Sequence, residues 1–278
     1  MSSAYVPRDP NARPPKRQRK PKSKNKWGCG LFIVPLVLAG FYAFMEAKNW
    51  HPSDEDYPLQ GIDVSHHQGA IDWSLLPAQG VDFAYIKATE GGDFVDSRFA
   101  ENWAAAGEAG IARGAYHFFT LCKPGAEQAA NYVAAVPQDT RALPPVVDLE
   151  YMGNCAERPR VSDVRAELSA FLRLVEAHYG KSAVLYLTEE FDEAYAISEN
   201  FDRSLWLRSL VLEPEFGARD WTFWQVSNFR QLEGIQGRVD WNVTQGTAVV
   251  IQPQSSPISP HRSPNRLPTF ANDITLQS

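Results

Sequence analysis

No glycine-rich phosphate loop occurs in the 278 residues: Gly91-Gly92-Asp93-Phe94 has neither the glycine spacing nor the lysine of a phosphate cradle. That argues against nucleotide chemistry. No cysteine and histidine pair has zinc-ligand spacing, and His66 and His67 are adjacent, so on a strand they would point to opposite faces. Neither a metal nor another cofactor is expected. Cysteine itself is scarce, at three residues. Cys29 falls in an apolar run, whereas an oxidising compartment would permit Cys122 and Cys155 to form a disulfide if the fold brings them together.

Charge is unevenly placed. Residues 1–26 hold nine Lys or Arg against one acid, Asp9, which gives +8 and leaves −14 for the remainder of a chain whose total is −6. Such an arm could bind nucleic acid, but the apolar run next to it argues for a membrane. Trp27 to Met45 is 19 residues without a charge, about 28 Å as a helix, close to the hydrocarbon thickness of a bilayer. A soluble helix would show a polar face, and this run has none. A cleaved signal peptide is the alternative, although Val37-x-Ala39 is a weak match to a small-residue cleavage site and Phe41-x-Ala43 carries too large a residue. Pro35 removes one helical hydrogen bond, which membrane helices tolerate.

Cations before the run and an acidic stretch after it place the amino terminus in the cytoplasm. The expectation is a single-pass protein of the cytoplasmic membrane with an extracytoplasmic main domain, periplasmic in a Gram-negative cell. The expected organisation is a basic arm at 1–26, an anchor at 27–45, a linker at 46–56, a main domain at 57–251 and a disordered tail at 252–278. The tail has five prolines and five serines with no apolar period.

Within the main domain, runs rich in β-branched and aromatic residues recur at 61–65, 82–89, 113–119, 144–150 and 183–188, bounded by Gly, Pro or polar turns. They predict buried strands. Helical patterns lie between them. The clearest is 162–180, where Val164, Leu168, Phe171, Leu172 and Val175 share a face, Ser162 is a candidate N-cap and Gly180 a stop. Further strands are predicted at 204–210, 222–227 and 239–243, joined mainly by loops. The fold class is therefore α/β, an irregular TIM-like β/α barrel of about five β/α units followed mainly by β structure. An open doubly wound sheet is the alternative.

In such barrels reactive groups sit at the carboxyl ends of strands. Asp148 and Glu150 in Val146-Val147-Asp148-Leu149-Glu150 lie at such an end, Asp63 near the end of the first strand and Asp240 on the last. Strand alternation puts Asp148 and Glu150 on one face, with Cα atoms about 6.5 Å apart. If they face inward, like-charge repulsion raises both pKa values and partial burial adds to it, so one can hold a proton near neutral pH. That is the requirement for glycosidic cleavage, an acid for the leaving oxygen and negative charge for an oxocarbenium-like transition state. An Asp-x-Glu alone equally fits a solvated strand end or a helix cap. Trp73, Trp206, Trp224, Trp241, Tyr85, Tyr116 and Tyr186 fall in or beside strands, as sugar-stacking rings or as core.

The stretches "GIDVSHHQGAIDW", "FAYIKATEGGDFVDSRFAENWAAAGEAGIARGAYHFF", "PPVVDLE", "WQVS" and "VDWNV" occur in order over about 59–245. In this they resemble glycoside hydrolase family 25, the Chalaropsis-type lysozymes. The resemblance implies a metal-free, net-retaining N-acetylmuramidase that cleaves the β-1,4 bond between N-acetylmuramic acid and N-acetylglucosamine in peptidoglycan. It implies Glu150 as general acid/base, Asp148 as stabiliser or orienter, and Asp63 and Asp240 as nucleophile candidates or electrostatic partners. Whether an Asp or the substrate's acetamido oxygen attacks the anomeric carbon stays open. Tyr116, Gln225, Trp206, Lys87 and Glu90 fall in motif positions that would line the cleft, although Lys87 and Glu90 could simply pair with each other.

There are departures. Arg208 and Leu210 stand where many members have a small residue and a Tyr, and His66 and His67 stand where the family varies, which favours a surface-loop role. On the expected barrel, Cys122 follows the third strand and Cys155 the fourth, in neighbouring loops. A disulfide closing that 33-residue separation would contribute roughly 3 to 4 kcal/mol. The alternative is two unpaired thiols. Expected partners are peptidoglycan glycan strands and the membrane, with no nucleic acid; oligomeric state is open. The competing function is a non-catalytic, membrane-anchored peptidoglycan-binding protein. A chitinase-like barrel is disfavoured because "PPVVDLE" lacks that motif's upstream aspartates.

Overall fold

A computed structural model describes residues 50–245 together with Pro35, Val37, Leu38 and Gly40, which are helical. The basic arm, the remainder of the apolar run and the tail lie outside the described residues. Among those described, no helix is long and apolar enough to cross a membrane. The chain divides into two compact units, residues 1–47 and 48–278.

The larger unit is built on strands β1 (Gln60–Val64), β2 (Phe83–Glu90), β3 (Phe94–Val95), β4 (Ala112–Phe118), β5 (Val146–Leu149), β6 (Val184–Leu187), β7 (Ser204–Arg208), β8 (Phe223–Arg230) and β9 (Val239–Thr244). All eight predicted strands are present, and β3 is a short addition that hairpins back onto β2. Neighbouring strands pair in the order β1-β9-β8-β7-β6-β5-β4-β2, and β1 also pairs with β2, so the sheet closes into a barrel. Within the barrel the pairings from β1 through β8 are parallel. Of the barrel strands only β9 runs antiparallel, to both β8 and β1. Its start therefore lies at the mouth where the parallel strands end.

Helices α1 (Phe99–Glu108), α2 (Gly125–Ala135), α3 (Val161–Tyr179), α4 (Glu189–Tyr195) and α5 (Ile197–Asn200) carry the crossovers between β2 and β7. The β1–β2 crossover is made by 3-10 turns, and loops join β7 to β8 and β8 to β9. This is the predicted decline from β/α units to β structure. On α3 the predicted residues Val164, Leu168, Phe171, Leu172 and Val175 are buried, and Gly180 ends the helix at φ 65°. The expected Ser162 cap is not made. The N-cap is Arg160, whose guanidinium pairs with Asp163, and the Ser162 hydroxyl donates to Asp163 from inside the first turn.

Strand alternation separates two apolar layers. Outward residues such as Ile62, Ile86, Val147, Leu185, Leu207 and Val226 join the helices in the main core. Inward residues Phe83, Tyr85, Val146, Val184, Tyr186, Trp206 and Phe223 fill the barrel itself. Gly114 makes room for this filling, because a Cβ there would lie 2.2 Å from the Tyr85 ring. Aromatic volume plugs the lower barrel, so only the mouth is left for polar inward positions. Residues 50–57 also pack on this unit: Trp50 and Tyr57 touch its core, and Gln60 donates to the Pro52 and Tyr57 carbonyls and the Asp54 carboxylate.

Candidate active site

Polar residues meet at the mouth, most of them of inward parity, with Glu90 brought there by a register shift between Lys87 and Thr89. Asp63, Lys87, Glu90, Tyr116, Asp148, Glu150, Gln225 and Asp240 line one cleft of about 530 Å³. Its inner end, about 90 Å³, is floored by Trp206. The four predicted carboxylates thus converge at one end of the barrel.

Asp63 and Asp240 are direct cross-strand partners and share a hydrogen bond. Asp63 Oδ2 also accepts from Asn242 Nδ2 at 2.8 Å and from Gln225 Nε2 at 3.2 Å. Each of these amides is itself oriented. The Tyr186 hydroxyl donates to Gln225 Oε1 at 2.8 Å, and Trp206 Nε1 donates to Asn242 Oδ1 at 3.0 Å. An amide whose oxygen is occupied must present its NH₂ to Asp63. The indole and phenol below therefore fix the donors above.

Burial raises the pKa of all four acids. Asp63 reaches only about 6, because donors to its carboxylate oppose burial. Glu150 reaches about 7: burial dominates, the Arg208 charge opposes it, and the Asp63 charge adds to it. Asp148 and Asp240 are pushed well above the usual range, Asp148 by burial and then by the Glu150 charge, Asp240 by burial and then by Asp63. The expected mutual repulsion of Asp148 and Glu150 is thus secondary to burial, and the acids that lift Glu150 are Asp63 and, less strongly, Glu190. Asp148 Oδ1 is buried without a hydrogen-bond partner among the described residues, which favours its neutral form.

Lys87 Nζ lies 2.7 Å from Glu90 Oε2 and over the Phe118 ring, so the two predicted cleft residues pair with each other as well as lining the wall. Tyr116 is a half-buried wall residue. Trp206 is 2% exposed, packed between Tyr85 and Tyr186, and serves as floor and donor rather than as an open stacking face. Sequence reasoning offered Tyr186 only as a stacking ring or core and missed Asn242 altogether. Both carry the inward parity, and Asn242 stands two places after Asp240, so the period-two rule would have found it.

His66 and His67 occupy a 3-10 turn rather than a strand, and their rings lie 4.1 Å apart. The expectation of opposite faces fails for that reason. His66 Nδ1 is taken by the buried Asp96 at 2.7 Å, while His67 reaches the cleft. Cys122 and Cys155 form a disulfide between the loops after β4 and β5. Glu157 lies beside them, but a disulfide leaves no thiolate for a metal. In the same loop Asn154 donates to the Phe119 and Glu150 carbonyls and accepts from the Leu121 amide. The chain segment that carries Glu150 is therefore tied to its neighbour both covalently and by hydrogen bonds.

Glu150, near pKa 7, can hold a proton at neutral pH while Asp63, held by three donors, carries charge. Two carboxyls with diverging environments in one cleft can act as proton donor and electrostatic stabiliser.

Comparison with known proteins agrees with this chemistry. The model of the glycosyl hydrolases family 25 matches residues 62–235. Lysozyme M1 of Streptomyces globisporus is 36% identical over 225 residues, 76% of each chain. A family 25 glycosyl hydrolase from Bacillus anthracis superimposes with a TM-score of 0.66 at 39% identity, covering 71% of this chain and 93% of its own. The bacterial lysozyme from Streptomyces coelicolor gives 0.64 at 33% identity, covering 69% and 94%.

Proposed function

The chain belongs to glycosyl hydrolase family 25, and from that premise we propose that it is a membrane-anchored muramidase acting on peptidoglycan. It hydrolyses the β-1,4 bond between N-acetylmuramic acid and N-acetylglucosamine with net retention. The observation that carries this reading is the convergence of Glu150, Asp148, Asp63 and Asp240 in one cleft at the barrel mouth, where Asp63 is held by two amide donors.

Protonated Glu150 gives its proton to the leaving glycosidic oxygen as the bond to the anomeric carbon breaks. Asp63, fixed by Asn242 and Gln225, stabilises the oxocarbenium-like charge, and Asp240 shares its proton with Asp63. Asp148, driven toward its neutral form by burial and then by the Glu150 charge, lines the same cleft without adding a second full charge. For net retention the Asp63 carboxylate or the substrate's own acetamido oxygen bonds the far face of the anomeric carbon as the leaving group departs. Ionised Glu150 then takes a proton from a water whose hydroxyl displaces that group, and is protonated again.

The uncharged run at 27–45 after the basic arm supports an anchor with the amino terminus in the cytoplasm and the barrel on the wall side. A carboxyl-terminal reporter that proved cytoplasmic would overturn that orientation.

The test of activity is digestion of purified peptidoglycan by the full-length protein and by Glu150→Gln, with products read by mass spectrometry. New reducing ends on muramic acid that vanish in the variant are expected. A folded but inactive wild type that still retained peptidoglycan would favour a non-catalytic binder.

A further inference from the structure

Three cationic side chains line the acidic cleft: Lys87, Arg208 and Arg238. Lys87 is neutralised by Glu90, and Arg238 is exposed. Arg208 differs from both. It is half-buried at the end of β7, and among the described residues its guanidinium has no hydrogen bond or ion pair.

Acceptors are not far away. The Arg208 charge is felt by Glu150, Asp63 and Asp240, yet it bonds to none of them. Its cross-strand partner Gln225 is already committed, Oε1 to Tyr186 and Nε2 to Asp63. A guanidinium has five donors in a planar fork that matches a carboxylate in two parallel bonds. Held half out of water and left unpaired, that fork is open toward whatever occupies the cleft.

We propose that Arg208 is a specificity-determining residue that grips a carboxylate of the substrate beside the bond being cleaved. The inference rests on the muramidase reading. A muramoyl residue carries an acidic lactyl ether, which is either a free carboxylate or amide-linked to a stem peptide that has carboxylates of its own. Both sources offer the same planar anion, and neither occurs on an unsubstituted N-acetylglucosamine polymer.

The test is binding without turnover. Full-length Glu150→Gln is compared with Glu150→Gln/Arg208→Gln and Glu150→Gln/Arg208→Lys by calorimetry on three soluble glycan strands. One is peptide-free with free lactyl carboxylates, one bears stem peptides, and one is peptide-free with its carboxylates converted to methyl amides. Loss of the fork should weaken binding of a carboxylate-bearing strand about tenfold and leave the amidated strand unchanged. Selective loss on the peptide-free strand assigns the lactyl group; selective loss on the peptide-bearing strand assigns the stem. Lys should recover little, because it keeps the charge and not the fork.

Equal weakening on all three strands, no weakening, or full recovery by Lys would overturn the proposal and reduce Arg208 to a diffuse countercharge for the acids. Absence of new reducing ends with wild-type protein would overturn the muramidase reading alone, since the binding comparison needs no turnover.

Discussion

Asp63 and Asp240 face each other across β1 and β9, the antiparallel pairing that brings the last strand's start to the barrel mouth. Two acids in this register cannot both ionise cheaply, so they share a hydrogen bond and Asp240 is driven toward its neutral form. Asp240→Asn should keep a donor toward Asp63 while removing the titrating proton. The folded Asp240 pKa is raised, so the stability it favours is full below the ordinary carboxylate range and is lost as pH rises. Thermal unfolding at pH 8 should therefore show Asp240→Asn more stable than wild type by about 1 kcal/mol or more, a Tm higher by roughly 2–4 °C. A lower Tm at pH 8 would contradict the sharing.

Burial raises the Glu150 pKa to about 7. As the proton donor Glu150 is active when protonated, so kcat/KM should fall as pH rises through about 7. Glu150→Gln should lower kcat roughly 100- to 10,000-fold. The same burial makes ionised Glu150 a strain on the fold: its stabilising proton is fully present below pH 4.5 and lost through about pH 7. The variant should thus gain stability above pH 7 and little at pH 4. Urea titrations at both pH values check this, and equal effects at the two would count against it.

Asn242 is the one Asp63 donor whose orientation is set by a buried indole. Asn242→Ala removes the 2.8 Å bond to Asp63 and leaves Trp206 Nε1 unpaired in the barrel. An unsatisfied buried donor costs about 1–3 kcal/mol. With one donor lost, Asp63 should titrate higher than about 6, so the acid limb of the pH–rate profile should move upward. A variant that lost stability without that shift would make Asn242 structural only.

Much of this site is legible in the sequence because strands enforce a period of two. Asp148 with Glu150, and Asp240 with Asn242, share a parity once the strands are placed. What sequence cannot supply is which neighbour dominates. Asp148 stands two residues from Glu150, yet Asp63, nearly ninety residues away in sequence, is the acid that raises Glu150 most, ahead of Glu190. That depends on barrel closure through β1. Ser162 fails as a cap because the helix begins at Val161, one residue before it, so its hydroxyl falls within the first turn and donates to Asp163 instead of accepting from a first-turn amide. The paired histidines are misjudged because a 3-10 turn, not a strand, holds them.

Cys122 and Cys155 fasten the loops after β4 and β5, and Asn154 next to Cys155 holds the Glu150 carbonyl at 3.0 Å and the Leu121 amide at 2.9 Å. Cross-linking residues 33 apart in sequence contributes roughly 3–4 kcal/mol by restricting the unfolded chain. Replacing both cysteines with Ser should lower stability by about that amount. The hydrogen bonds of Asn154 remain, so activity measured well below the lowered Tm should fall far less than for Glu150→Gln. If the double Ser variant were as inactive as Glu150→Gln at low temperature while still folded, the covalent tie and not Asn154 would be what holds the acid in place.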